Sequence, residues 1–565
     1  MAQALAQAGV REVFCVPGES YLPLLAALPD AGVRIITCRH EGTAAMAAEA
    51  MGRLRGGMPG VCLVTRAPGA ANAMAGVVVA QQDATPLLVI AGQVARGQRH
   101  AGVFQDADLT EMFRPLCKHV EEVCEPAALP AAVRRACHMA QAGVPGPVFL
   151  SLPEDVLTAA AGDDCMPCDR FMMAEEAGTD ASLKPSAAPH PAPCEVRRVA
   201  ELLAASERPL LIAGGGPHLW TVQARERLHE LGMRLHVPLI SAFRRQGLVD
   251  ATHEACAGTL GFGTSPALLQ ALREADMLLL LGARPRGVTL QVLGAQLDLL
   301  RPPMPVAHVC MDAAECGRAV HADVSVCATP QAFLEALPVE DMLQRSGPRL
   351  ARRQQWMAEL HAAQLAWSDP SSMAMPGGLD MAQVWGWLRQ HLPADAIICS
   401  GAGNYALWLH RFFHHRDLFG QLAPVSGSMG YGLPAALAAK LRFADRTVVA
   451  VAGDGCFQMS MQDFATAAQY GLGIIVLVVD NGQLGTIRGH QLRRFPAADC
   501  ATTLQNPRFD RFAEACGGFG AQVSRTEEFA DAFREAERHA RQGRPALLHL
   551  PVSPQAIAPG LNAPA

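Results

Sequence analysis

One repeated alternation constrains this chain more than any other feature. Short, almost wholly apolar runs rich in Val, Ile and Leu are separated by longer, Ala-rich stretches of helical character. The first block reads "REVFCVPG", "VRIITC", "GVCLVT", "TPLLVIAG" and "PVFLSLP". Strands with no polar alternation are buried on both faces, and helices between them supply the crossovers that parallel strands require. The expected fold class is therefore α/β, with mainly parallel sheets covered by helices on both sides.

The alternation falls into three blocks. The spacing predicts an N-terminal domain at residues 1–165 and a linker at 166–194, rich in Pro, Ser, Ala and Asp. A central α/β domain follows at 195–340, with "RPLLIAGGG", "VPLISAF" and "ADMLLLLGA". A second linker is expected at 341–378, and a C-terminal domain at 379–560 with "AIICSGAG", "TVVAVAGDG" and "GIIVLVVDN". The segment from "VCLVT" to "LLVIAG" and the segment from "TVVAVAGDG" to "VVDN" share one layout: strand, Gly turn, helix, strand. The two end blocks thus read as related sheets that face each other across a site, within a chain or between chains.

Composition narrows the classes of function. Of 565 residues, half are hydrophobic and 18% charged, and 47 basic against 53 acidic side chains leave a net charge of −6. No basic cluster favours a nucleic-acid partner. The longest apolar runs fall far short of the roughly 20 residues that span a bilayer. The N-terminus lacks a basic region followed by an apolar one, so a cytoplasmic protein away from membranes is expected. The 17 cysteines lie largely in apolar segments, which suits reduced, buried thiols. Cys165 and Cys168 form a lone C-x-x-C, and without a second pair at metal spacing this is not read as a zinc site.

The strongest chemical signal lies near the C-terminus. Asp454, in "AGDG", ends one strand, and Asn481 ends the next, 27 residues later. In a right-handed βαβ unit both emerge on the same sheet edge, where open α/β sheets bind ligands. Two side-chain oxygen ligands and a nearby carbonyl suit Mg²⁺, which keeps water and substrate phosphate in its other positions. Gly453 and Gly455 permit close approach of a diphosphate. A bare G-D-G is only a strand-end turn; the step to Asn-Gly after a second strand makes the pair specific.

The stretch "GDGCFQMSMQDFATAAQYGLGIIVLVVDNG" resembles the thiamine-diphosphate motif. "RHEGTAAMAAEAMGRLRG", "CLVTRAPGAANAMAGVVVAQQDATPLLVIAGQV" and "FQDADLTEMFRPLCKHV" resemble the N-terminal domain of the acetolactate synthase-like family, and "APVSGSMGYGLPAALAAK" its cofactor-binding turn. The resemblance covers almost the whole chain. It implies three α/β domains: pyrimidine-binding, central and diphosphate-binding. It also implies thiamine diphosphate and Mg²⁺ as cofactors, the metal being held by Asp454, Asn481 and the carbonyl of Gln483. Diphosphate contacts are implied for Gly403, Asn404, Gly455 and Cys456. Gly427 and the backbone of Met429 are implied to bond the aminopyrimidine, with the Met429 side chain propping the cofactor in a bent shape.

Glu41, at the start of the Ala-rich helix, fits a first-turn acid favoured by the helix dipole. The resemblance gives it a second role: bonding the pyrimidine ring nitrogen and so promoting loss of the thiazolium proton. An apolar helix behind it is expected to desolvate the carboxyl and keep more of it protonated. Gln105 matches a glutamine near the reacting centre, or is a polar loop residue. Arg114 and Lys118 match positions near the substrate channel, or are solvated charges. A homodimer or homotetramer with sites between chains is implied.

The sequence departs from the pattern at three places. His490 stands where acetolactate synthases carry a Trp thought to select the second 2-oxo acid, and an imidazole there is smaller and able to hydrogen-bond. Asp480 replaces the first residue of the usual Asn-Asn pair. The turn at 213–216 and Arg284 match places where relatives hold FAD, although their neighbours differ, so FAD stays open. The expected reaction is decarboxylation of a pyruvate-like 2-oxo acid with carboligation to a second carbonyl. The alternatives are a non-ligating decarboxylase or aldehyde lyase, and a catalytically silent homologue. A place in branched-chain amino acid biosynthesis is left open.

Overall fold

The structure, a computed structural model, describes residues 1–159, 189–495, 497, 500–559, 561 and 562. The expected first linker lies almost wholly outside the described residues, and so does the Cys165–Cys168 pair. The chain divides into two compact units, residues 1–187 and 188–565.

The first unit holds one six-stranded parallel sheet: β1 (Glu12–Cys15), β2 (Arg34–Thr37), β3 (Gly60–Val64), β4 (Leu87–Gln93), β5 (His119–Glu122) and β6 (Pro147–Pro153), in the order 2-1-3-4-6-5. Every residue of β3, β4 and β6 is buried, as the unbroken apolar runs require. The helix Glu41–Leu54 is buried from Gly42 to Leu54, and its small residues explain how. A Cβ on Gly76, in the helix Ala67–Asp83, would lie 2.5 Å from Ala45 Cβ; one on Gly60 would lie 1.7 Å from the Ala48 carbonyl oxygen. The backbones approach so closely that only Ala and Gly fit. The helix is not uniformly apolar, however. Arg53, 1% exposed, meets Glu49 at 2.6 Å and Asp83 at 3.0 Å, both carboxylates being fully enclosed. This buried triad ties the two helices together.

The second unit holds two further parallel sheets of six strands. One comprises β7 (Pro209–Ala213), β8 (Leu239–Ser241), β9 (Cys256–Thr259), β10 (Met277–Leu281), β11 (Val306–Cys310) and β12 (Val324–Cys327), in the order 12-11-10-7-8-9. Neighbouring residues of β10 feed opposite cores: Leu279 and Leu281 one, Leu278 and Leu280 the other. The stretch read as the second connector carries the helix Arg349–Trp367. Its Arg353, fully buried, donates to the carbonyls of Leu203, Ala204, Ser206 and Leu235. It thereby satisfies acceptors left at the ends of the helices Pro193–Ala205 and Val222–Leu235.

The other sheet comprises β13 (Ile397–Ser400), β14 (Gln421–Leu422), β15 (Val448–Gly453), β16 (Ile475–Asp480), β17 (Phe519–Gln522) and β18 (Ala546–Pro551), in the order 14-13-15-16-18-17. Taken in chain order this repeats the topology of the first sheet, strand for strand. The echo in the sequence falls on equivalent strands, β3 and β4 in one and β15 and β16 in the other. Within the second unit, residues 244–251 are clamped to 410–424. Gln246 and Gln421 exchange two hydrogen bonds of 2.8 Å, and Ala251 N donates to the His415 carbonyl. His415 is enclosed at this clamp and faces the Gly420 carbonyl at 2.9 Å.

Replacing Arg53 by Met leaves Glu49 and Asp83 as uncompensated buried charges. It is expected to cost about 3–5 kcal/mol in urea unfolding, whereas exchanging all three residues for apolar ones recovers most of that loss. A pH effect follows from the clamp. Burial pushes His415 down from the ordinary 6.5 to about 4. The unfolded chain takes up this proton near 6.5 and the folded chain only near 4, so stability falls as pH drops through that window. The slope is about 1.4 kcal/mol per pH unit for one such group, and His415→Gln should flatten the pH dependence of the melting temperature accordingly.

Candidate active site

In the third sheet β13 and β15 lie side by side although β14 intervenes in sequence, so the loops leaving their carboxyl ends diverge. Such a switch point opens a crevice in parallel α/β sheets. Here the crevice is a cavity of about 240 Å³. Its lining includes Gly403, Asn404, Gly427, Met429, Gly453, Asp454, Gly455, Cys456 and Gln483. These residues, singled out from three separate stretches of sequence, converge on one space. Asn481 is absent from that lining. It borders a neighbouring cavity of about 20 Å³, the size of a single bound particle, together with Asn404, Gly453 and Asp454.

Three turns are joined beneath the larger cavity. Cys456 Sγ accepts from Gly430 N at 3.2 Å and lies 3.3 Å from the Tyr405 hydroxyl. Gly427 and Gly430 adopt φ of +74° and +79°, backbone that favours glycine in this turn. Gly455 and Gly485 leave no room for a Cβ. At Gly455 it would lie 2.8 Å from Leu484 Cδ2, and at Gly485 2.7 Å from the amide nitrogens of both Asn404 and Asn481.

Asp454 opens the short helix Asp454–Gln458 and is 3% exposed. The register pairs Gly453 with Val479, so the residue laterally level with Asp454 is Asp480, not Asn481. Two carboxylates therefore sit together. Asn506 bridges them, its Nδ2 donating at 2.7 Å to Asp454 Oδ2 and at 2.7 Å to Asp480 Oδ1. Asp480 also accepts from His549 Nε2 at 2.8 Å and Gly482 N at 2.9 Å. Burial pushes Asp454 up to about 6, against the bond from Asn506. At Asp480 burial acts in the same upward direction, but the bonds from His549, Gly482 and Asn506 outweigh it and hold this carboxyl below its ordinary value. Asn506 and His549 were not found from sequence. His549 arrives on β18, and Asn506 on a segment whose Thr503 pairs antiparallel with Gln483; neither is near Asp454 in the chain.

In the first unit, Glu41 is the first residue of its helix but does not cap it. His40 does, its Nδ1 accepting from Gly42 N at 3.0 Å. The Glu41 carboxyl is half-buried rather than enclosed, and Asn72 Nδ2 donates to its Oε2 at 3.0 Å. Gln105 sits in a turn with φ of +61°, an unusual conformation for a side chain of this type. Lys118 Nζ donates to the Ala142 carbonyl beyond a helix end, and Arg114 pairs with Glu111 on the surface. His490 is exposed on the helix Gly485–Arg494 and accepts at Nδ1 from Arg493 at 3.1 Å, which places its ring proton on Nε2.

At the switch point of the second sheet the glycines serve chain packing. A Cβ on Gly214 would lie 2.6 Å from Ala283 Cα, and the Trp220 indole donates to the Gly214 carbonyl at 2.9 Å. Arg284 shares Glu315 with Arg286 and Arg318.

Comparison with known proteins agrees with this layout. Residues 1–112 match the family described as "Thiamine pyrophosphate enzyme, N-terminal TPP binding domain". Residues 196–337 match its central domain and 401–550 its C-terminal TPP binding domain. The acetolactate synthase large subunit of Mycobacterium tuberculosis is 31% identical over 541 residues, covering 94% of this chain and 84% of that protein. The chain belongs to the acetolactate synthase-like family of thiamine-diphosphate enzymes. Further members similar to it are the acetolactate synthase isozyme 3 large subunit of Escherichia coli and a probable large subunit of Methanocaldococcus jannaschii. The first is 29% identical over 96% of this chain and 92% of its own length, the second 27% over 99% and 92%. As a thiamine-diphosphate enzyme the chain carries its C-terminal family match across the whole 240 Å³ cavity.

Gly485→Ala is the sharpest steric probe of this family member's cavity. Its methyl group displaces the amides of Asn404 and Asn481 without touching the sheet. Calorimetric titration with thiamine diphosphate and Mg²⁺ is expected to show binding weakened by about tenfold or more, the scale of a mild overpacking penalty.

Proposed function

We propose that this enzyme decarboxylates a pyruvate-like 2-oxo acid and joins the remaining two-carbon unit to a second carbonyl, with thiamine diphosphate and Mg²⁺ as cofactors. The observation that carries the reading is the convergence of three glycine turns and a buried carboxylate on one cavity at the β13–β15 switch point.

The residues present fit both groups. Asp454 is a carboxylate buried at some cost, with Asn481 beside it at a space of single-particle size. Hard oxygen donors of this kind, with the Gln483 carbonyl, suit Mg²⁺ completed by phosphate and water. Gly455, where a Cβ would meet Leu484 and Leu504, lines the cavity with bare backbone.

When bound, thiamine diphosphate supplies a carbon nucleophile and an electron sink. The chain's own residues do the rest. Glu41, whose carboxyl accepts from Asn72, would bond the pyrimidine ring nitrogen and exchange a proton there. Gly427 and the backbone of Met429 would bond the aminopyrimidine, with the Met429 side chain supporting the cofactor. Gly403, Asn404 and Cys456 line the diphosphate end. Gln105 is assigned to the reacting centre. Assembly as a homodimer or homotetramer, a cytoplasmic location and the division into domains at 1–165, 195–340 and 379–560 belong to the same proposal. No described helix is long and apolar enough to cross a membrane. FAD is a separate matter, decided by flavin absorbance of the purified protein, since the turn at 213–216 and Arg284 are occupied by protein contacts.

A second reading, decarboxylation without ligation, rests on His490, an exposed imidazole at the position where the family resemblance implies a Trp. Incubation with pyruvate separates the two: acetolactate supports ligation, and acetaldehyde as sole product removes it. Glu41→Gln is expected to lower turnover by about 10²-fold or more while binding of thiamine diphosphate persists, the scale of a lost general acid–base group. Unchanged turnover would contradict the assignment.

A further inference from the structure

Asn506 stands outside every motif that placed the site, yet its amide is the most heavily used near Asp454. Both of its donor contacts go to carboxylates, at 2.7 Å to Asp454 Oδ2 and 2.7 Å to Asp480 Oδ1. Its own oxygen accepts from Gln458 Nε2 at 2.9 Å. That last bond settles which end of the amide faces the carboxylates, since only the NH₂ group donates. Gln458 in turn closes the helix that Asp454 opens.

We propose that Asn506 is the positioning residue of the cation site: it fixes the plane of the Asp454 carboxylate by holding Oδ2, and so sets the direction in which Oδ1 is presented. The argument rests on the reading of Asp454 as a cation-holding residue and goes one layer beyond it. Two carboxylates side by side repel, and a carboxylate free to rotate turns away from a like charge. Asp480 is committed elsewhere, with one oxygen taking Gly482 N and Asn506 and the other His549 Nε2. His549 is backed by Asp510, at 3.7 Å, and Asp510 by Arg508 at 2.9 and 2.7 Å. Asp480 is thus held by three donors, and the Asn506 amide, shared between the two carboxylates, couples its position to that of Asp454. Outer partners of this kind orient the residues that touch a metal, and their loss characteristically weakens metal binding by about 10–100-fold.

The test is Mn²⁺ binding followed by electron paramagnetic resonance on the full chain with saturating thiamine diphosphate, beside the melting temperature of the cation-free protein. Asn506→Ala is expected to weaken Mn²⁺ binding by about tenfold or more with little change in melting. Gln458→Leu, which leaves Asn506 in place but frees its amide to turn, is expected to shift Mn²⁺ affinity in the same direction by less. A lowered melting temperature with unchanged Mn²⁺ affinity in Asn506→Ala assigns a purely structural role and overturns the proposal. If that variant does not fold, wild-type Mn²⁺ affinity in Gln458→Leu overturns it instead. Asp454→Asn separates the two layers: if it binds Mn²⁺ as the wild type does, the reading of Asp454 itself fails.

Discussion

The register of two parallel strands governs this site. β15 and β16 pair so that Gly453 faces Val479; Asp480 ends β16, and Asp454 follows directly on the last residue of β15. Parallel pairing thereby forces two carboxylates into one neighbourhood at the carboxyl edge of the sheet. Everything around them resolves that conflict. His549 and Gly482 N hold Asp480, Asn506 spans the pair, and Asp454 is left buried beside the cavity. The result is a pair of carboxylates beside an opening, Asp454 buried and Asp480 partly so. The surrounding structure supplies hydrogen bonds to keep the arrangement stable without neutralising it.

Much of the fold was legible in the sequence because the physics behind it is local. Unbroken apolar runs report strands buried on both faces, and this chain has three sheets of such strands. The turns that line the cavity were legible for a related reason: each glycine or aspartate sits at a strand end marked by its own neighbours. What escaped was whatever depends on pairing across the chain. The spacing placed Asp454 and Asn481 on the same sheet edge, but it did not show that the register sets Asp454 level with Asp480. Asn506 and His549 come from elements 52 and 69 residues away from their partners Asp454 and Asp480, and no periodicity announces them.

The first unit shows the same division. Its Ala-rich helix reads from sequence as an apolar background to Glu41, which is only part of its role. The small residues serve backbone approach against β3 and the next helix, and the enclosed Glu49–Arg53–Asp83 triad contradicts the impression of a purely apolar background. The carboxyl of Glu41 is only half-buried, so the desolvation expected from the helix behind it is partial. Glu41 is the first-turn acid that its position suggested, while His40, unremarkable in the sequence, caps the helix.

The identical strand order of the first and third sheets gives the chain two equivalent crevices, which have been put to opposite use. In the third sheet the loops after β13 and β15 leave an open cavity. In the first, the loops after β1 and β3 are laced together: Ser20 meets Thr65 at 3.0 Å, Arg66 bridges Glu19 and Glu154, and a Cβ on Gly18 would lie 2.5 Å from Thr65. At this switch point one copy of the architecture is braced shut and the other stands open. A substitution after β1 or β3 therefore loosens a brace, whereas one at the equivalent place after β13 or β15 reshapes a space.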